Sequence, residues 1–145
     1  MPAVFLDANI FFAAVRSHTG GSYFILELAK KKRLRIVTVA HAVIEAERNI
    51  EKKLGRVALN VHYQNLLSIR PTIQPLVMIP RALEARLMSV MVEKDLPIVL
   101  GTLLSNADAL ITLDQKHFLK NERLKDLPLP FSILTPGDFI RQYLQ

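Results

Sequence analysis

The stretch "VFLDANIF" (residues 4–11) places a carboxylate at the end of the first apolar run of the chain and an asparagine two residues later. If this run is a buried strand, Asp7 lies at its carboxyl end, where ligands gather in open parallel sheets. The alternative is that Asp7 and Asn9 cap the helix that follows, because Asp and Asn are frequent helix N-caps. The stretch alone leaves both interpretations open.

The length and composition of the chain indicate a single soluble domain. The chain has 145 residues, which suits one domain spanning residues 1–145, and half of its residues are hydrophobic, enough for a sizeable core. It has no apolar run of membrane-spanning length, no signal-peptide pattern in its first residues and no cysteine for disulfides or thiolate zinc sites. We therefore expect a cytoplasmic protein with no membrane partner.

The charge of the chain is basic and unevenly distributed. Lys and Arg number 19 against 13 Asp and Glu, a formal net charge of +6. A basic excess favours polyanionic partners such as nucleic acid, although the same charge can serve solubility alone. The basic residues cluster in three places, which are Lys30–Arg33 with Arg35, then Arg48, Lys52, Lys53 and Arg56, and finally Lys116, Lys120, Arg123 and Lys125.

Apolar segments of strand and helix character alternate along the chain. Since the strand segments are apolar without alternation, they predict a parallel sheet covered on both faces by helices. The predicted strands are "AVFL" (3–6), "RIVTV" (35–39), "LVMI" (76–79), "ALITL" (109–113) and "FSILT" (131–135). The predicted helices cover residues 22–32, 41–54, 57–67, 82–94, 97–106 and 136–144.

Four carboxylates stand where this map brings segments to one edge of the sheet. Asp114 follows "ALITL" as Asp7 follows "VFL", Glu45 lies one turn inside the helix after "RIVTV", and Asp95 lies just before the helix that begins near Pro97. Clustered carboxylates raise one another's pKa, and a divalent cation relieves that repulsion. Mg²⁺ and Mn²⁺ prefer oxygen ligands, and such a site lowers the pKa of water and neutralises a scissile phosphate.

An ordered set of segments resembles the PIN domain family, in particular a bacterial and archaeal branch described as toxins of toxin–antitoxin pairs. The segments are "VFLDANIF" (4–11), "VIEAERN" (43–49), "KDLPIVLGTLLSNADALITLDQKHF" (94–118) and "ILTPGDFI" (133–140). The resemblance implies an α/β fold, namely a three-layer α/β/α sandwich around a parallel sheet of about five strands. It also implies metal-dependent endoribonuclease activity.

The family's functional positions carry over residue by residue. The resemblance makes Asp7, Glu45, Asp95 and Asp114 the catalytic and metal-binding acids, and Asn9 and Thr112 the polar residues that orient ligands or water. The sequence departs from the family before Asp95, because the segment 82–94 is predicted as a full helix where the relatives have a short loop.

These observations predict an endoribonuclease that hydrolyses RNA phosphodiester bonds with metal-activated water and a Mg²⁺ or Mn²⁺ cofactor. The resemblance adds an antitoxin protein as partner and, with the high apolar content, a homodimer. The alternative is a catalytically silent PIN-like module that binds RNA or protein, although clustered negative charge does not help to bind RNA. A haloacid-dehalogenase-like phosphatase is disfavoured, because Asn9 stands where its second aspartate is required.

Several other polar residues have simpler interpretations. Asp108 precedes its strand, so we expect it at the opposite edge of the sheet in a turn or cap. Glu47 lies about 200° around the helix from Glu45, so both cannot face one pocket, and a surface ion pair is expected for Glu47. No two histidines have zinc-ligand spacing, and His117 is expected to be structural, with substrate contact as the alternative.

Overall fold

The apolar run before Asp7 forms the central strand of the sheet. The computed structural model describes residues 1–144. In it, β1 (Ala3–Leu6) is buried and pairs in parallel with β2 (Arg35–Thr38) on one side and β4 (Ala109–Ile111) on the other. The edge strands are β3 (Thr72–Ile73) and β5 (Ser132–Leu134), so the order is β3-β2-β1-β4-β5. The predicted five-stranded parallel sheet is confirmed.

Eight α-helices of the described chain surround this sheet. They are α1 (Ala8–Arg16), α2 (Gly21–Lys30), α3 (Ala40–Leu54), α4 (Arg56–Ile69), α5 (Arg81–Met88), α6 (Leu96–Ser105), α7 (Glu122–Lys125) and α8 (Pro136–Tyr143). A 3₁₀ turn (Glu93–Asp95) leads into α6, and a π-helical turn (Gln115–Leu119) follows β4. Among residues 1–144, no helix has both the length and the apolar content needed to cross a membrane.

The side of the sheet to which the chain adds its strands changes between β1 and β4, although all strands stay parallel. The chain builds β1, β2 and β3 outward to one side and then returns to β4 and β5 on the other. Right-handed crossovers place the first four helices on one face and α5–α7 on the opposite face, which makes three layers. The carboxyl ends of β1 and β4 therefore flank the point where the connections diverge, the usual place for a ligand crevice.

Helix α6 lies unusually close to the sheet because of Gly101. A Cβ atom at Gly101 would approach Val39 Cγ1 to 2.5 Å and Phe5 Cε2 to 2.7 Å. Both distances are shorter than a carbon–carbon contact allows. The glycine thus brings the start of α6, which carries Asp95, toward the carboxyl edge of the central strands.

Two predicted elements differ from the structure. The prediction of a strand at "LVMI" (76–79) is wrong, because the residues that pair with β2 are Thr72 and Ile73. The last hydrogen bond to β2 comes from the Gln74 N–H, which donates to the Thr38 carbonyl at 2.8 Å. Pro75 has no N–H with which to extend the ladder. The helix predicted for 82–94 ends at Met88, so the segment before Asp95 is a turn and a short 3₁₀ turn rather than a full helix.

Candidate active site

Four carboxylates from four segments of the chain line one cleft at the carboxyl edge of β1 and β4. They are the acids predicted from the sequence: Asp7 after β1, Glu45 in α3, Asp95 at the start of α6 and Asp114 after β4. Six further residues complete the lining, namely Ala8, Asn9, Phe12, Asn49, Lys53 and Lys94. The cleft therefore has an acidic floor with amide, aromatic and cationic groups beside it.

Asp7 caps a helix and faces the cleft at the same time. Its Oδ1 accepts a hydrogen bond from the Ala8 N–H at 2.7 Å, which makes Asp7 the N-cap of α1. Its Oδ2 accepts from the Thr112 hydroxyl at 2.8 Å. The two interpretations of "VFLDANIF" are thus compatible, because each involves a different oxygen of the same carboxylate.

A hydrogen-bond network holds the loops after β1 and β4 together. The Thr112 hydroxyl donates to Asp7 and accepts from the Asp114 N–H at 3.1 Å and from Asn9 Nδ2 at 3.3 Å. The Asn9 Oδ1 accepts from the Leu113 N–H at 3.0 Å. Thr112 is fully buried and uses the one donor and two acceptor positions of its hydroxyl. Asn9 and Thr112 therefore fix the positions of Asp7 and Asp114, as ligand-orienting residues would.

Burial and mutual repulsion raise the pKa of the two inner acids. The pKa of Asp7 rises from 3.8 to about 6, first because the carboxyl is buried and further because Glu45 and Asp95 are near, while the Thr112 and Ala8 hydrogen bonds oppose the rise. Burial also raises the pKa of Asp95, while His117 and Lys94 oppose the rise and Asp114 and Glu45 add to it. The cleft therefore holds its negative charges under strain when no cation is present.

His117 lies between two of the acids. It belongs to the π-helical turn that Asp114 caps, where Asp114 Oδ1 accepts from the His117 N–H at 2.9 Å. Its Nδ1 lies 3.1 Å from Asp95 Oδ2 and 3.3 Å from Asp114 Oδ2. These distances suit ion pairs, yet Asp95 Oδ2 is buried without a well-aligned hydrogen bond in the described chain. His117 thus contacts two of the acids of the cleft without lining it, a position that its spacing in the sequence did not reveal.

The structure keeps two other acids out of the cleft. Asp108 lies at the opposite edge of the sheet, where its Oδ2 accepts from the Ala3 N–H at 2.9 Å, as predicted. Glu47 lies away from Glu45, but its partner is the Tyr63 hydroxyl at 2.7 Å rather than a basic neighbour. The predicted surface ion pair of Glu47 is therefore replaced by a hydrogen bond between α3 and α4.

Three polar or aromatic residues of the cleft, Phe12, Asn49 and Lys94, were not identified from the sequence, and Lys53 was identified only as a member of a basic cluster. Asn49 and Lys53 follow Glu45 at intervals of four residues in α3, and this helical spacing is a signal that could have been used. Phe12 follows Asn9 by three residues in α1. Lys94 precedes Asp95 within the 3₁₀ turn, and its approach to the cleft depends on tertiary structure.

The fold and the site define a PIN-like α/β/α domain with an acid-lined cleft. No protein-family model and no curated protein matches the chain. The chain is similar to one chain in the crystal structure of VapBC2 from Rickettsia felis bound to a DNA fragment from their promoter, with 21% sequence identity and a TM-score of 0.64. The similarity covers 91% of this chain and 98% of that chain. It confirms the PIN-like fold predicted from the sequence.

Proposed function

We propose that this protein is a metal-dependent endoribonuclease that hydrolyses RNA phosphodiester bonds. The observation that carries the proposal is the convergence of Asp7, Glu45, Asp95 and Asp114 on one cleft at the carboxyl edge of the sheet. Such a cluster is unfavourable for folding unless a cation or a proton compensates it. A module that only binds RNA has no use for this arrangement, which disfavours the catalytically silent alternative.

The residues of the cleft fit a hard divalent cation. The donor set consists of carboxylate oxygens, which Mg²⁺ and Mn²⁺ prefer, and Asp95 Oδ2 is buried without a hydrogen bond in the described chain. One ligand atom each from Asp95, Asp114 and His117 lie within 4.8 Å of one another. We assign Asp7, Glu45, Asp95 and Asp114 as the residues that would hold Mg²⁺ or Mn²⁺. Such an ion lowers the pKa of water and neutralises charge on a scissile phosphate.

The remaining groups of the cleft suit attack by water on a phosphodiester. No side-chain hydroxyl or thiol lines the cleft in the part of the chain that the structure describes, so a covalent intermediate with a serine, threonine or cysteine is disfavoured. Lys53 and Lys94 stand beside the acids and can contact the phosphates that flank the scissile bond. Asn9 and Thr112 hold Asp7 in place and thereby fix its position relative to the other acids.

The proposed biological role is that of the toxin in a toxin–antitoxin pair in the cytoplasm, with an antitoxin protein as partner. The support is the sequence resemblance together with the similarity in fold to a chain of VapBC2. Co-expression of the chain with the product of an adjacent small reading frame tests this role. Growth arrest by the chain alone, relieved by the second protein, is expected, and growth that the chain does not affect would contradict it.

The proposed homodimer is supported by an exposed apolar segment beside the edge strand β3. Ile73, Leu76, Val77 and Met78 are all exposed, and Met78 is 96% exposed. Single exposed apolar residues are ordinary, whereas a run of them is typical of interaction surfaces. Light scattering should show a dimer that Met78→Lys weakens, and a monomer at high protein concentration would contradict the proposal.

A cleavage assay tests the activity directly. Purified protein should cleave single-stranded RNA with Mn²⁺ or Mg²⁺, and EDTA should abolish cleavage. Asp7→Asn should lose cleavage while it keeps the fold. Asp108→Asn is the matched control, since it makes the same chemical change at the opposite edge of the sheet and should retain cleavage. Undiminished cleavage by Asp7→Asn would exclude the proposed site.

A further inference from the structure

Two helices present matching rows of side chains along the cleft. In α3 the row is Glu45, Asn49 and Lys53, at intervals of four residues, and all three line the cleft. In α1, Asn9 and Phe12 line the cleft and are three residues apart. Positions three or four apart lie on one side of a helix, so each row runs along its helix axis away from the acidic floor.

Both rows change from polar groups near the acids to cationic groups farther out. Glu45 begins the row in α3 and Lys53 ends it, while Asp7 is the N-cap just before the row in α1. Arg16 follows Phe12 by four residues in α1 and is exposed. A polyanion with one phosphate at the acids would therefore place its next phosphates near positive charge, which favours its binding.

Phe12 is the aromatic ring that both of these cations approach. It is half-buried and packs partly against the core, yet it also lines the cleft. The Arg16 Cζ lies 5.7 Å and the Lys53 Nζ 5.8 Å from the centre of its ring. An aromatic face flanked by flexible cations is the arrangement with which proteins hold an unpaired base and its phosphates.

The two cations do not prevent a base from reaching the ring. Lys and Arg carry their charges on long flexible stems that move with little loss of packing. A cation at an exposed aromatic face is held more weakly than a stacked nucleobase. A base can therefore displace them from the ring, and their charges then lie beside the phosphates of the same strand.

We infer that Phe12 is a base-stacking residue that binds the unpaired nucleotide next to the cleavage site, with Lys53 and Arg16 on the flanking phosphates. The inference rests on the proposed ribonuclease function and adds to it the means by which the substrate is held. Because every base has an aromatic face, Phe12 selects unpaired RNA over duplex RNA rather than one base over another.

The test measures the affinity of Phe12→Leu for two probes that differ only in their bases. Asp7→Asn protein with Mn²⁺ serves as the non-cleaving parent. One probe is a short single-stranded oligoribonucleotide, and the other is a chain of abasic ribose phosphates with the same length and charge. Leu keeps the apolar contacts of Phe12 but removes its aromatic face, so the substitution should weaken binding of the first probe about five- to a hundredfold and leave the second unchanged.

Three control variants separate stacking from charge and from folding. Lys53→Gln should weaken binding of both probes, because it contacts phosphates. Phe24→Leu removes a phenylalanine that is 45% exposed outside the cleft and should change neither affinity. Phe12→Tyr keeps an aromatic face, so it should bind the first probe like the parent, and it supports the test if Phe12→Leu fails to fold.

The possible outcomes distinguish this inference from the proposed function. Equal affinity of the parent and Phe12→Leu for the oligoribonucleotide would overturn the inference, even if cleavage and metal binding by the wild type are intact. An equal loss for both probes would also overturn it, since the ring would then act only through packing. If wild type does not cleave RNA but Phe12→Leu loses affinity only for the probe that carries bases, the proposed catalysis would be overturned and Phe12 would remain a base-binding residue.

Discussion

Replacement of Asp7 by asparagine should stabilise the metal-free protein at neutral pH. The pKa of Asp7 is 3.8 in the unfolded chain and about 6 in the fold. Because the fold raises this pKa, the protonated carboxyl contributes stability that is complete below about 3.8 and is lost as the pH rises through about 6. At about 1.4 kcal/mol per pKa unit, the shift of about two units makes ionised Asp7 destabilising by about 3 kcal/mol at neutral pH.

The expected net gain is smaller because asparagine keeps only part of the hydrogen bonding. An amide has one oxygen, so it can replace either the bond from the Ala8 N–H or the bond from the Thr112 hydroxyl. Loss of one such bond costs about 1–2 kcal/mol, which leaves a net stabilisation of about 1–2 kcal/mol. For a chain of this size, about 2–4 °C per kcal/mol gives an increase in Tm of about 2–8 °C.

Thermal melts of wild type and Asp7→Asn in EDTA, across the pH range, test this reasoning. The variant should melt higher at neutral pH. The difference should shrink and then reverse as the pH falls from about 6 to about 3.8, because the penalty of about 3 kcal/mol disappears over that range and only the lost hydrogen bond, about 1–2 kcal/mol, remains. Asp108→Asn is the control and should not melt higher. A difference that stays constant with pH would refute the assignment, since Asp7 would then be an ordinary helix cap.

Three further outcomes are expected. Mn²⁺ at about 100 times its Kd should stabilise wild type by about 2.7 kcal/mol, which raises its Tm by about 5–11 °C, and should stabilise Asp7→Asn much less. Thermal melts with EDTA or Mn²⁺ measure this difference, and a wild-type Tm that Mn²⁺ does not change would exclude a preformed metal site. Lys53→Gln should reduce the slope of log Kd against log salt for RNA by about one, whereas Lys52→Gln, outside the cleft, should change it less. Burial lowers the pKa of His62 from 6.5, so protonation of this ring should cost stability as the pH falls below 6.5. His62→Leu removes a buried ring without hydrogen bonds in residues 1–144, so its stability relative to wild type should rise over that range, and a constant difference between the two stability curves would show that His62 does not titrate in this way.

Much of the fold could be predicted because apolar periodicity reports burial. The strands beside Asp7 and Asp114 are apolar throughout, and both are buried on both faces in the structure. The edge strand was misplaced because its residues are exposed, so their hydropathy carries no information about pairing. Thr72 and Ile73 pair with β2, while the more apolar "LVMI" that follows remains outside the sheet.

The site was predictable to the extent that it depends on strand ends. Parallel strands share one carboxyl edge, so the order of the elements was enough to bring the predicted acids together. The position of His117 depends instead on a π-helical turn, and that of Phe12 on the packing of α1 against α3, neither of which has a local sequence signal. Side chains whose positions depend on such tertiary features are therefore the hardest to find from the sequence.

The place of the acids in the fold explains why a helix cap and a carboxylate that faces the cleft coincide at Asp7. A strand that ends at the point where connections diverge must lead into a helix, and the first N–H groups of that helix need an acceptor. One carboxylate oxygen of Asp7 fills that need, and the other is left at the crevice, where the Thr112 hydroxyl of the neighbouring strand end orients it. The capping bond also limits rotation of the side chain, so the second oxygen is held in place before any ligand arrives. Capping thus preorganises the carboxylate, and the raised pKa of Asp7 records the stability that the fold gives up to keep it there.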